Sequence, residues 1–211
     1  MTAHTTSFWR CLAVGAAIAT AAAVAAAALF KNAAAQPGFD AVLVLLAAAC
    51  VVVAVGGAWV CWFLAAGRVR LMRAAREISA AHADQAARAR AVHDWVHAHI
   101  TYDYAEYVLI RKEDPTPGHQ VAEAAAYFGT GVCSAMAEAV VRVALAAGLR
   151  AERVTVRVDR DGREVRHACA RFTFPDGSWA DSDPAYGEWD VRHRAVADGR
   201  GAALPAKAPK R

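Results

Sequence analysis

Hydrophobic positions along this chain pass through three regimes: two unbroken apolar runs, then helical spacing, then strict alternation. Residues 11–30 and 41–66 carry only apolar, small or weakly polar side chains and no charge. The second run is 26 residues long, rich in Leu and Val, and ends on Trp59, Trp62 and Phe63. That length spans a bilayer, and aromatics of this kind suit the membrane–water interface. The first run is mostly alanine and is followed by Lys31-Asn-Ala-Ala-Ala-Gln36. It reads as a first span, giving a transmembrane hairpin, or as a signal segment whose cleavage leaves a single span. Its length favours the hairpin.

Beyond residue 67 the period becomes helical. Leu71, Ala74, Ala75 and Ile78 form one apolar stripe, and Ala91, Val92, Trp95, Val96 and Ile100 form another, so 68–100 is one long helix or two joined helices. Lys112–Gly118 is a loop by its Pro, Gly and acidic content, and a short helix is expected around 119–127. A further helix runs from Cys133 to about Ala147, with Gly148 as its stop. Val154, Val156 and Val158 then alternate with Arg153, Thr155 and Arg157, which is the pattern of a half-buried strand. Asp159-Arg-Asp-Gly162 turns the chain into a returning strand over 164–174, and Pro175–Ser178 turns it again into a short strand from Trp179 to Asp183. Helices first and an antiparallel meander after them predict an α+β fold with segregated layers. Residues 191–211 read as a disordered basic tail.

Charge adds topology. Arg68, Arg70, Arg73 and Arg76 follow the second run directly, whereas only Lys31 and Asp40 lie between the runs. The positive-inside rule therefore places everything after residue 67 in the cytoplasm, whatever becomes of the first run. Contact with anionic lipid headgroups is a natural second role for the four arginines. Cysteine usage agrees: Cys11, Cys50 and Cys61 lie in the apolar runs, and Cys133 and Cys169, the two others, have no spacing of a disulfide framework. The net charge of +4 comes without a basic stripe interleaved with aromatics, so nucleic acid is not an expected partner. No cofactor requirement is visible.

The candidate chemistry centres on Cys133. In Tyr127-Phe-Gly-Thr-Gly-Val-Cys133, two glycines lead into a thiol that opens a helix, where the macrodipole favours the thiolate. Taken alone, an unpaired cysteine is more often a small buried hydrophobe. His167 on one strand and Asp183 at the end of the next supply the other parts of a thiol acyl-transfer site. Asp181 competes with Asp183, since a separation of two puts both on one strand face. His93 and His97, with Asp94 between them, echo zinc-hydrolase helices, but the acid is not the usual glutamate and no third ligand stands nearby; a solvated helix face accounts for them better.

Five landmarks in order carry a family resemblance: Trp95 with Ile100-Thr-Tyr102-Asp; Gly131-Val-Cys133 opening an alanine-rich helix; Leu145-Ala-Ala-Gly148 ending it; His167-Ala168; and Gly177-Ser-Trp179 followed by Asp183-Pro184. Over about residues 86–187 the chain resembles the transglutaminase-like superfamily of papain-like cysteine hydrolases. The resemblance implies a Cys-bearing helix packed on a small antiparallel sheet. It makes Cys133 the nucleophile, His167 the general base and later acid, and Asp183 the group that orients the imidazole. The Cys133 N–H and the Tyr102 hydroxyl are the expected oxyanion donors. Cys169 departs from the family pattern, which often has a bulky aromatic there, and it shares a strand face with His167.

The expected organisation is a membrane anchor over 1–66, a basic juxtamembrane helix over 67–85, a transglutaminase-like domain over 86–190 and the tail over 191–211. The expected activity is that of a membrane-anchored cysteine peptidase or amidohydrolase working on a peptide or protein through an acyl-enzyme. Transfer to an amine, and a catalytically silent peptide-binding scaffold, are the alternatives. A membrane hairpin whose soluble part only recruits partners is a third.

Overall fold

In the computed structural model, residues 17, 20–21, 24–28, 31, 41–105, 121–198 and 201–205 are described. The chain divides into two compact units, Met1–Ala65 and Ala66–Arg211. Most of the first apolar run and the whole of the predicted 112–118 loop lie outside the described residues. Helix α1 (Ala41–Ala81) is continuous for 41 residues. Among the described residues it is the one helix long and apolar enough to cross a membrane; it contains the second apolar run, and no counterpart of the expected first span is seen there. Within the first unit Leu45, Val51, Val52, Val53, Val55, Trp59 and Trp62 are all exposed.

The second unit starts inside α1. Leu71, Ala74, Ala75 and Ile78 are buried there, the stripe expected from spacing. Gly67 makes this packing possible: a Cβ at that position would sit 1.8 Å from the carbonyl oxygen of Glu123. Two of the four arginines also face into this unit. Arg68 lies 3.9 Å from Glu123, and Arg70 Nη1 donates to the Ala126 carbonyl at 2.8 Å. Helix α2 (Gln85–His99) follows a break, capped by Asp84, whose carboxylate accepts from Ala87 N–H at 2.7 Å. A two-residue strand β1 (Thr101–Tyr102) pairs in parallel with β2 (Thr130–Gly131), which follows the short helix α3 (Ala122–Phe128).

Helix α4 (Cys133–Ala146) is alanine- and valine-rich, buried along most of its length, and packed on the sheet. It ends in a Schellman motif: Gly148 has φ +77°, its N–H bonds the Leu145 carbonyl, and Leu149 N–H bonds that of Ala144. The sheet is wholly antiparallel in the order β6-β5-β4-β3-β7-β8: β3 (Arg150–Val158), β4 (Glu164–Thr173), β5 (Trp179–Asp183), β6 (Glu188–Trp189), β7 (Ala195–Ala197) and β8 (Ala203–Leu204). The β3–β4 turn is held by Asp159, whose Oδ1 accepts from the N–H groups of Asp161 and Arg163. One core joins α1, α2, α4 and the sheet through Leu71, Val92, Val96, Met136, Val140 and Phe172.

Two expectations need correction. The predicted disordered tail is structured through residues 191–198 and 201–205: β7 pairs with β3 and β8 with β7, burying Val196 and Ala197. Its basic, Gly- and Ala-rich composition masked a short alternation of Val191 and His193 with Arg192 and Arg194. His93 is not on a solvated face but 1% exposed, with its Nδ1 2.9 Å from Ser182 Oγ on β5, and the Nδ1 of His97 bonds the Pro184 carbonyl at 2.8 Å. These histidines fasten α2 to the end of the strand that carries Asp183.

Candidate active site

Cys133 is the first residue of α4, and the N-cap residue, Val132, supplies no capping oxygen. First-turn N–H groups therefore point their partial positive charge toward the thiol. The β1–β2 pair sets Tyr102 opposite Gly131, two residues before Cys133. Tyr102 packs against the small cluster of Cys133, Ala137 and Ala168.

His167 and Cys133 are hydrogen-bonded to each other through their side chains. Alternation along β4 sends Ala170 and Phe172 into the helix-packed core and Ala168 toward Cys133, so His167, Cys169 and Arg171 share the opposite face. The meeting point is the stretch of β4 that runs past its last pair with β5, Ala170 with Ser182. There the N–H groups of Ala168 and Ser134 also bond the sulfur. The Nε2 of His167 lies 2.6 Å from Asp183 Oδ2, which leaves Nδ1 for the thiol. Asp183 is fully buried, and the short contact is what a charge-assisted bond produces.

Asp181, the rival carboxylate, is engaged elsewhere. It takes a bidentate pair from Arg171 at 2.7 and 2.8 Å, and the Arg171 guanidinium lies 3.7 Å over the Trp179 ring. Both aspartates occupy one face, as their spacing requires. The partner on β4 distinguishes them: Arg171 stands in register with Asp181, while His167 is four residues nearer the open end of the strand.

The electrostatics follow from this geometry. Burial pushes the Cys133 thiol up, but the hydrogen bond and positive charge of His167, with the two N–H donors, outweigh it and hold the thiol below its ordinary value. Burial alone would lower His167; Asp183 and the Cys133 thiolate instead raise it to about 10. Asp183 is held below the usual carboxylate range because the two histidines beside it, His167 and His193, overcome its burial. The site thus combines a thiol held low, an imidazole held high and a carboxylate held low, the arrangement that favours a thiolate–imidazolium pair. Cys169 behaves oppositely. It is fully buried among Val154, Val156 and Val196, and burial with the nearby carboxylates of Asp181 and Asp183 drives its thiol well up, so it stays protonated and inert.

A cavity of about 140 Å³ opens beside His167, lined by Val165, Tyr186, His193, Glu188 and the charged β3–β4 turn. Tyr186 is 66% exposed, with its ring centroid 5.2 Å from that of His167, and forms one bank. Among the described residues no group of three or more His, Cys, Asp and Glu could hold a metal ion. His193 is the site neighbour that sequence reasoning missed; the Val191/His193 alternation was the one signal for it.

The family model of the transglutaminase-like superfamily matches residues 72–184, more than half of the chain and a span that includes Cys133, His167 and Asp183. No curated protein matches. Among solved structures, a TGase aligns at 18% identity and TM-score 0.46, covering 56% of this chain and 31% of its own length. A candidate cysteine protease from Cytophaga hutchinsonii aligns at 18% identity and TM-score 0.47, covering 64% of this chain and 44% of its own. The chain thus spans less than half the length of either. On the strength of the family match, this chain belongs to the transglutaminase-like superfamily.

Proposed function

We propose that the chain is a membrane-anchored thiol acyl-transfer enzyme, first of all a cysteine peptidase or amidohydrolase, with Cys133 as nucleophile, His167 as acid and base, and Asp183 as the group that orients the imidazole. The observation that carries this reading is the Cys133–His167–Asp183 chain of hydrogen bonds at the start of α4, with the thiol held low and the imidazole held high. In the proposed cycle the thiolate attacks an amide or ester carbonyl, and the oxyanion is met by the Cys133 N–H with help from the Tyr102 hydroxyl. His167 gives its proton to the leaving amine or alcohol. The neutral imidazole then takes a proton from water, and the resulting hydroxide releases the acyl group and restores the thiolate. An amine acceptor in place of water turns the same sequence into transamidation.

The exposed apolar surface of α1 over 45–62 supports anchoring in a bilayer. The arginine cluster after it supports a cytoplasmic site. Arg73 and Arg76 are exposed, which leaves them for anionic headgroups, whereas Arg68 and Arg70 serve the fold.

The test is acylation by an activated ester, p-nitrophenyl acetate, followed by intact-mass and peptide-level spectrometry of the full chain in detergent. The reading requires a single acetyl adduct on Cys133, turnover by water, and loss of both in Cys133→Ala. Equal turnover in that variant contradicts it. Added amine that captures the acyl group faster than water would select transamidation.

A further inference from the structure

We propose that His193 is a second histidine on the catalytic carboxylate, a positioning residue that holds Asp183 in the geometry it needs to grip His167; this rests on the triad reading above. His193 is 6% exposed, and its Nε2 stands 3.5 Å from Asp183 Oδ2, the same oxygen that takes His167 Nε2 at 2.6 Å. The two imidazole rings lie 6.2 Å apart at a near-perpendicular 68°. Asp183 is thereby flanked by one imidazole from β4 and one from the strap between β6 and β7.

Three observations separate this from chance burial. First, neither ring nitrogen of His193 makes a hydrogen bond at ordinary distance, and the remaining Asp183 oxygen, Oδ1, is likewise buried without a partner. A buried imidazole left unbonded carries a desolvation cost, and a shift of well under an ångström that closes the 3.5 Å contact with Asp183 Oδ2 gives its Nε2 a partner. Second, the strap is fixed on either side of His193: Val191 N–H bonds the Asp181 carbonyl, and Arg194 N–H bonds that of Val158. The ring is therefore delivered to Asp183 by the sheet and not by a free tail. Third, His193 lines the cavity that His167 also lines, so it stands where substrate arrival could press it onto the carboxylate. Its position lies beyond the residues 72–184 that the family model matches.

Other charged groups at this cavity are spoken for. Asp159 caps its own turn, and Arg160 contacts both Glu188 and Asp161. Arg163 lies at the hairpin end of the cavity, and next to His193 on the strap, outside the cavity lining, Arg194 Nε bonds the Arg160 carbonyl. Asp183 is the carboxylate that stands 3.5 Å from His193 Nε2.

The experiment is the pH profile of Cys133 alkylation by iodoacetamide in the full chain in detergent, for wild type, His193→Phe, His193→Gln, Asp183→Asn and the Asp183→Asn/His193→Phe pair. A carboxylate freed to rotate holds the imidazolium less well. His193→Phe should therefore move the thiol midpoint up by roughly half a pH unit or more. His193→Gln, whose amide can donate from nearly the same place, should bring it back toward wild type. In the Asp183→Asn background the Phe substitution should add nothing, because the two act through one carboxylate. Packing alone would give equal shifts in both backgrounds and no rescue by Gln. An unchanged midpoint in His193→Phe, in a protein whose midpoint still depends on His167, overturns this proposal and leaves the triad reading standing. A wild-type midpoint at the ordinary thiol value sinks both. If His193→Phe fails to fold by thermal melt, His193→Asn, too short to reach Asp183, takes its place with the same expectations.

Discussion

Replacing Asp183 with Asn tests how the site holds its charge. In the structure His167 is raised from its ordinary value of 6.5 to about 10 against the cost of burial, by Asp183 and the Cys133 thiolate together. A difference of that size corresponds to about 5 kcal/mol favouring the imidazolium. The Asp183→Asn substitution keeps the shape and removes the negative charge, leaving the thiolate as the only anion on the ring. If the two anions share the effect equally, about half is lost, and His167 should titrate at about pH 8 in Asp183→Asn. Burial then counts more heavily, so a lower value is consistent and a higher one is not. The assay is NMR of ¹³C-labelled histidine rings in detergent micelles, with the His167 resonance assigned by its disappearance in His167→Gln. A ring that still titrates at about 10 in Asp183→Asn would refute the claim that this carboxylate sustains the imidazolium. Asp181→Asn is the matched control; Asp181 serves Arg171, so its loss should weaken the fold and leave His167 within about half a unit of wild type.

Three further outcomes follow from the same structure. Gly67→Ala should destabilise the second unit by about 1–3 kcal/mol, because the new methyl meets backbone at Glu123 and no flexible side chain can yield; an unchanged denaturation midpoint would show that α1 does not pack there. The raised His167 should contribute stability that is fully present below about pH 6.5 and lost as pH rises through about 10, while the lowered Cys133 thiol should contribute stability that is present above about pH 8.5 and lost as pH falls. Denaturation curves for wild type minus a Cys133→Ala/His167→Gln double variant should therefore decline between about pH 8.5 and 10, where the histidine contribution alone still changes, and a flat difference across that range would contradict the pair. A cysteine placed at exposed Glu152, in a background lacking the native cysteines of the apolar runs, should react with a membrane-impermeant maleimide only after cells are permeabilised; labelling of intact cells would reverse the proposed orientation.

Much of this arrangement can be read from residues alone, because the signals are local. Gly148 stops α4 since its φ of +77° suits glycine, and Asp159-Arg-Asp-Gly162 turns the hairpin by bonds within the turn itself. The start of α4 at Cys133 is marked by the glycines before it and the apolar spacing after it. What the sequence left open depends on pairing between distant segments. Asp181 and Asp183 look equivalent until β4 sets Arg171 against one of them. His93 looks solvated until β5 places Ser182 beneath it. Residues 191–205 look like a tail because β7 and β8 are three and two residues long, too short for alternation to stand out, and their stability comes from the edge of β3. His193 was hidden for the same reason.

The central claim is that Cys133 is an activated thiol because of His167. Its most direct test is the rate of Cys133 alkylation against pH in the solubilised full chain, read at peptide level, for wild type and His167→Ala. The account predicts a wild-type midpoint well below the free-thiol value of about 8.5 and an upward move when the imidazole is removed. A midpoint at or above that value, indifferent to His167, would contradict it.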